Sequence, residues 1–148
     1  MKHLPSPTEL LRKSSVSVSP ETFAIVSLMK ERWFALLAES ALSPRMSAPF
    51  MIFMDLNEVT LVLDETDLRT MLPGLADARI ERGYRLLTFD VVMDLSVTGF
   101  IAEVSRILAE AAIPILPLSS FSRDHLLVRQ AELGAALKAL GPHVAELC

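Results

Sequence analysis

The chain has 148 residues, 51% of them hydrophobic, which is enough apolar mass for one ordinary domain or two small ones. Its net charge is -4, with 14 basic against 18 acidic side chains and no basic cluster, so the Lys/Arg patch that a phosphate backbone requires is missing and nucleic acid is excluded as a partner. One cysteine leaves no disulfide framework, no apolar run approaches the ~20 residues of a membrane span, and no apolar leader follows Met1; the expectation is a cytoplasmic protein that does not engage a membrane.

Residues 1–14 are rich in Pro, Ser and charge and read as a flexible N-terminal arm. From Ser15, Val16 and Val18 alternate with serines, the period-two pattern of a half-buried strand. Pro20-Glu21 turns the chain into a second strand, Phe23 to Leu28. Glu31 to Leu42 carries Trp33, Leu36, Leu37 and Ala41 at near-helical spacing and stops at Ser43-Pro44. Pro49 to Leu63 reads as a hairpin around Asp55-Leu56-Asn57, and Asp64-Glu65-Thr66-Asp67 starts a helix, where acids suit the positive end of the helix dipole. Met46, Met51, Met54, Met71 and Met93 read as core filler.

The same order recurs downstream. Arg85 to Asp94 is an apolar strand. Gly99 to Ala112 is an amphipathic helix with Phe100, Val104, Ile107 and Leu108 on one stripe, and Pro114 follows its end. Short strands at Ile115–Leu118 and Leu126–Val128 flank the polar loop Ser119–His125, with Pro117 marking an edge strand. Gln130 to Leu140 is a second helix, closed by Gly141-Pro142; Cys148 reads as a thiol at a frayed end. Strand, helix, hairpin, helix occurring twice predicts an α+β fold of two tandem ferredoxin-like units, antiparallel sheets with helices on one face, spanning residues 15–80 and 81–148.

Two segments of the second half carry chemistry. Thr98-Gly99 opens a helix, with Thr98 as the expected N-cap, and free N–H groups at such a start can hold a carboxylate; Gly99 serves a tight turn equally well. Asp124 can receive an ammonium or simply shape its hairpin, and Phe121 can cover a ligand's stem or fill the core. No catalytic set accompanies them. There is no Gly-x-Ser-x-Gly elbow, no phosphate-binding Gly-rich loop, and His3, His125 and His143 are widely separated, so neither an enzyme nor a bound metal or cofactor is expected. Glu103 and Glu110 read as solvated carboxylates.

Ser96-Val97-Thr98-Gly99 together with Ser119-Ser120-Phe121-Ser122-Arg123-Asp124-His125-Leu126-Leu127-Val128 resembles the ACT domain of small bacterial proteins related to the CASTOR arginine sensors, strongly from about Tyr84 to Leu140. Pro20-Glu21-Thr22-Phe23-Ala24-Ile25-Val26 is similar to the opening strand of such proteins. The resemblance implies tandem ACT domains with a ligand-binding regulatory role and a small amino-acid ligand held by Val97, Thr98, Gly99, Ser120, Phe121 and Asp124; separately, the edges of two small sheets in a short chain predict a homo-oligomer. Where this group commonly has Thr and an aromatic residue, the chain has Arg123 and His125. A cation beside Asp124 is expected to compete for that carboxylate or repel a basic ligand, by ~1 kcal/mol for charges ~4 Å apart in water. The alternative reading is a protein-interaction module with no metabolite ligand.

Overall fold

In a computed structural model that describes residues 3–148, the chain divides into two compact units. One comprises the chain up to Pro20 together with Tyr84–Cys148, the other Glu21–Gly83. The N-terminal segment opens with helix α1 (Pro7–Lys13) and strand β1 (Ser15–Val18). The inserted unit contributes β2 (Phe23–Leu28), α2 (Lys30–Leu37), β3 (Met51–Met54), β4 (Val59–Asp64) and α3 (Glu65–Met71). After it, β5 (Arg79–Asp90) leads to α4 (Phe100–Glu110), β6 (Leu116–Ser119), β7 (Asp124–Arg129), α5 (Leu133–Leu140) and β8 (Glu146–Leu147).

In the discontinuous unit the strands lie in the order β8-β1-β5-β7-β6. Val16 pairs with Phe89 and Leu87 with Leu126, so Val16, Leu87, Phe89, Leu126 and Val128 share one face, which packs against Leu11, Phe100, Val104, Leu108 and Leu140. The Phe89 and Phe100 rings meet edge to face, 5.5 Å between centroids, which fixes the first residue of α4 against the last turn of β5. Among the described residues β6 pairs with β7 alone, and Pro117 occupies a strand that needs no second ladder.

Four expectations change here. The first 14 residues are not a loose arm: Ser6 and Glu9 form a reciprocal capping box, Pro7 takes the first helical position, and Leu10 and Leu11 are buried in the core. Met1 and Lys2, also part of the expected arm, lie outside the described residues. Ser15–Val18 belongs with the second unit rather than the segment that follows it, because its ladder partner is β5. The sheet is also mixed, since β8 runs parallel to β1 with Ser15 opposite Glu146. Cys148 keeps an exposed thiol, but its backbone N–H donates to Val16 O at 2.8 Å, so the chain end is held.

The inserted unit has strand order β3-β4-β2, with Ala24, Val26, Leu61, Leu63, Leu68 and Met71 in its core. Trp33 packs against this core. α2 ends at Leu37 instead of Leu42, and the methionines divide: Met71 is fully buried, whereas Met46 and Met54 are exposed.

Candidate functional site

β5 ends at Asp90, four residues earlier than its apolar run suggests. The backbone then turns: Met93 N donates to Ser122 O at 2.9 Å, tying this connection to the β6–β7 hairpin. Asp94 shapes the next turn by accepting from Ser96 N at 2.9 Å and from the Ser96 hydroxyl, and Val97 N closes onto Asp94 O at 3.0 Å. The chain reaches α4 through Gly99, whose φ of 90° is left-handed and whose O accepts from Glu103 N. Gly99 is therefore the N-cap, not Thr98, whose hydroxyl instead lies 3.4 Å from Ser96 O. As a glycine, this N-cap offers no side-chain oxygen to the first turn of α4.

The hairpin faces this helix start. Ser119 and Asp124 are the last register pair, joined by Ser119 Oγ donating to Asp124 Oδ1 at 2.6 Å. Ser120 N and its hydroxyl both donate to Arg123 O, closing the tip. Between helix start and hairpin lies a cavity of about 450 Å³. Val97, Gly99, Ser120, Phe121 and Asp124 all line it; Thr98 does not. Phe121 is 80% exposed and so is no core residue. Met93, Asp94 and Arg123 also line the cavity. Asp94 carried a readable signal, the Asp-x-Ser turn pattern; the other two had none.

Charges in the site are paired differently from the expectation. Arg123 does not engage Asp124: its Nε lies 3.4 Å from Asp90 Oδ1, an ion pair without hydrogen-bond alignment. Asp90 in turn accepts from Ser17 Oγ at 3.1 Å. His125 stands between Thr88 Oγ1 at 2.9 Å and Ser120 Oγ at 3.1 Å. Burial pushes its ring below the ordinary histidine range; Asp124 opposes this, Arg123 adds to it, and Asp90 opposes it. On α4, Glu103 and Glu110 are not simply solvated, because Arg106 pairs with both and holds Glu103 below the usual carboxylate range.

The corresponding place in the inserted unit is built otherwise. Asp55 spends its Oδ1 on the Asn57 and Glu58 amides at 2.7 and 2.8 Å, which lower its pKa, and Lys30 Nζ donates to Leu56 O at 2.6 Å, tying helix start to hairpin. Its buried charges lie elsewhere: Arg45 binds both Asp64 and Asp67, and Asp64 caps α3. Among the described residues no group of three His, Cys, Asp or Glu is placed to hold a metal, and no helix is long and apolar enough to cross a membrane.

Residues 79–141 match the family model of the ACT domain. That segment is similar to the ACT domain. The solved structures share the fold over nearly the whole chain. A protein from Agrobacterium tumefaciens is 20% identical, with a TM-score of 0.69 and 92% of each chain covered. A Vibrio cholerae protein, described as a possible transport protein, is 24% identical, with a TM-score of 0.65 over 90% of this chain and 93% of its own. The ligand-free regulatory subunit of aspartate kinase from Thermus thermophilus is 15% identical, with a TM-score of 0.62 over 90% of this chain and 98% of its own. Comparison with curated proteins gives no match. The fold is thus of the α+β, ferredoxin-like ACT type.

Proposed function

We propose that this protein is a non-catalytic, cytoplasmic regulatory module that binds a small amino acid or related metabolite in the cavity between α4 and the β6–β7 hairpin. One observation carries the reading: the glycine-capped first turn of α4 and the Asp124 carboxylate line the same cavity. Those are a donor array for an α-carboxylate and an acceptor for an α-ammonium. The likeness to the regulatory subunit of aspartate kinase supports it, as does the resemblance to the CASTOR sensors. Occupancy acts by favouring one arrangement of domains or subunits over another. A thermal-shift screen against the twenty amino acids at neutral pH tests this, since a ligand at about 100 times its Kd stabilises by about 2.7 kcal/mol. A flat screen at millimolar concentrations overturns it.

A second reading, an assembly module, has its own support in β3. Among the described residues this strand pairs only with β4, and it and its flanks expose Phe50, Ile52, Phe53, Met54 and Leu56. An apolar sheet edge of that kind calls for a covering partner, here a second copy of the chain. Sedimentation at micromolar concentration should give a mass above the 16.3 kDa of the single chain, and a monomer would remove this reading.

A further inference from the structure

The hydrogen bonds around His125 have a direction. A carbonyl only accepts, so the Ser120 hydroxyl, 3.1 Å from Arg123 O, spends its proton there. Its oxygen is then an acceptor for His125 Nε2 at 3.1 Å, which makes Nε2 the protonated nitrogen of the neutral ring. Nδ1 is left with a lone pair, and the Thr88 hydroxyl at 2.9 Å donates into it. The result is one chain from strand to hairpin tip: Thr88 hydroxyl to Nδ1, Nε2–H to Ser120, Ser120 hydroxyl to Arg123 O. Every member is satisfied only while the ring is neutral. A proton arriving from solvent at Nδ1 turns that nitrogen into a donor, and the Thr88 hydroxyl must reverse and lose its acceptor.

The charged groups around the ring are Asp124 and Arg123 on its own hairpin and Asp90 on β5. β6 places Leu118 opposite and brings no titratable group. A protonated ring would sit one residue from Asp124, where a bound ammonium also belongs. Ring proton and ligand therefore compete for the same field.

We propose that His125 is a positioning residue of the cavity: as a neutral ring it holds Ser120 through this hydrogen-bond chain, and on protonation it lowers the affinity for the ligand. This rests on the amino-acid reading of the cavity. Binding accordingly releases a proton in mildly acidic solution, and affinity rises with pH until the ring is neutral, then levels off.

Calorimetric titration of the full chain with each of the twenty L-amino acids, at about pH 8 and about pH 5.5, should show binding roughly two- to fourfold weaker at the lower pH, a factor kept small because burial holds the ring below the ordinary histidine range. His125→Gln, which keeps a donor for Ser120 but cannot titrate, should bind with the same affinity at both. A pH dependence that survives in His125→Gln, or equal wild-type affinities, overturns this inference while leaving the amino-acid reading intact. No binding at either pH sinks the amino-acid reading and the ligand coupling with it. Ring-nitrogen NMR shifts of the wild type decide the remaining part without ligand or variant: the neutral ring must carry its proton on Nε2, and a proton on Nδ1 refutes the chain.

Discussion

Ser119 Oγ donates to Asp124 Oδ1 at 2.6 Å, so the carboxylate that begins β7 is oriented by its cross-strand neighbour rather than by its own backbone. Asp55, at the corresponding hairpin of the inserted unit, is consumed by two backbone amides. An aspartate steered by one hydroxyl keeps its second oxygen for a ligand. Asp124→Asn retains an acceptor for Ser119 but removes the charge. It should weaken amino-acid binding by roughly 1.5 to 3 kcal/mol, the worth of a hydrogen bond to a charged group, while leaving the melting temperature nearly unchanged. Calorimetry and a thermal melt check both, and unchanged affinity would take Asp124 out of the site.

Gly99 controls entry to α4. At φ 90° any side chain meets the left-handed penalty, and a Cβ there would also lie 3.1 Å from Pro7 Cγ. Gly99→Ala should therefore destabilise the fold by about 1 to 2 kcal/mol, and Gly99→Asn by less, because Asn tolerates this backbone region. Denaturant unfolding ranks the three proteins; equal stabilities would show that the turn relaxes into another conformation.

Arg123 pairs with Asp90 and leaves Asp124 open. Arg123→Thr removes a cation from the cavity wall and unmasks the Asp90 charge, so lysine and arginine should gain affinity relative to neutral amino acids. The gain should be a few-fold, since both partners of the pair are partly exposed. Competition titration measures it, and an unchanged ratio would mean that the Arg123 charge is screened from the ligand.

Much of this arrangement is legible in the sequence, because it is local. The Gly99 turn, the Ser119–His125 hairpin and the apolar stripe of α4 follow from residues a few positions apart. β1 is different: its partner Phe89 lies more than seventy residues from Val16, and no local pattern records that pairing. The Arg123 ion pair is illegible for a related reason, since sequence adjacency to Asp124 says nothing about Asp90 at the end of β5. α1 was readable but masked by its prolines. Ser6-Pro7-Thr8-Glu9 followed by Leu10-Leu11 is a capping-box start before an apolar pair.

That helix provides a direct test. Leu11 is 1% exposed and packs into the same core as Leu87 and Phe100. Leu11→Ala should cost about 2 to 5 kcal/mol, the range for truncating a buried leucine. A loss below about 0.5 kcal/mol in urea unfolding, the level of an ordinary surface change, would mean that the segment does not hold the core.

In the inserted unit, Asp64 has two tasks that substitutions can separate. Its Oδ1 accepts from Asp67 N at 2.8 Å as the cap of α3, and its Oδ2 meets the Arg45 guanidinium. Both acids are fully buried and Asp67 Oδ2 has no hydrogen-bond partner, so the cluster depends on Arg45 for its charge balance. Asp64→Asn keeps a capping oxygen and loses the ion pair, whereas Asp64→Ala loses both. The difference between the two variants should be about 0.5 to 2 kcal/mol, the value of an N-cap. If Asn is as damaging as Ala, the charge outweighs the cap; if Asn matches the wild type, the Arg45 pair contributes nothing net and the cap alone accounts for the aspartate. Chemical unfolding of the three proteins at one pH distinguishes these outcomes.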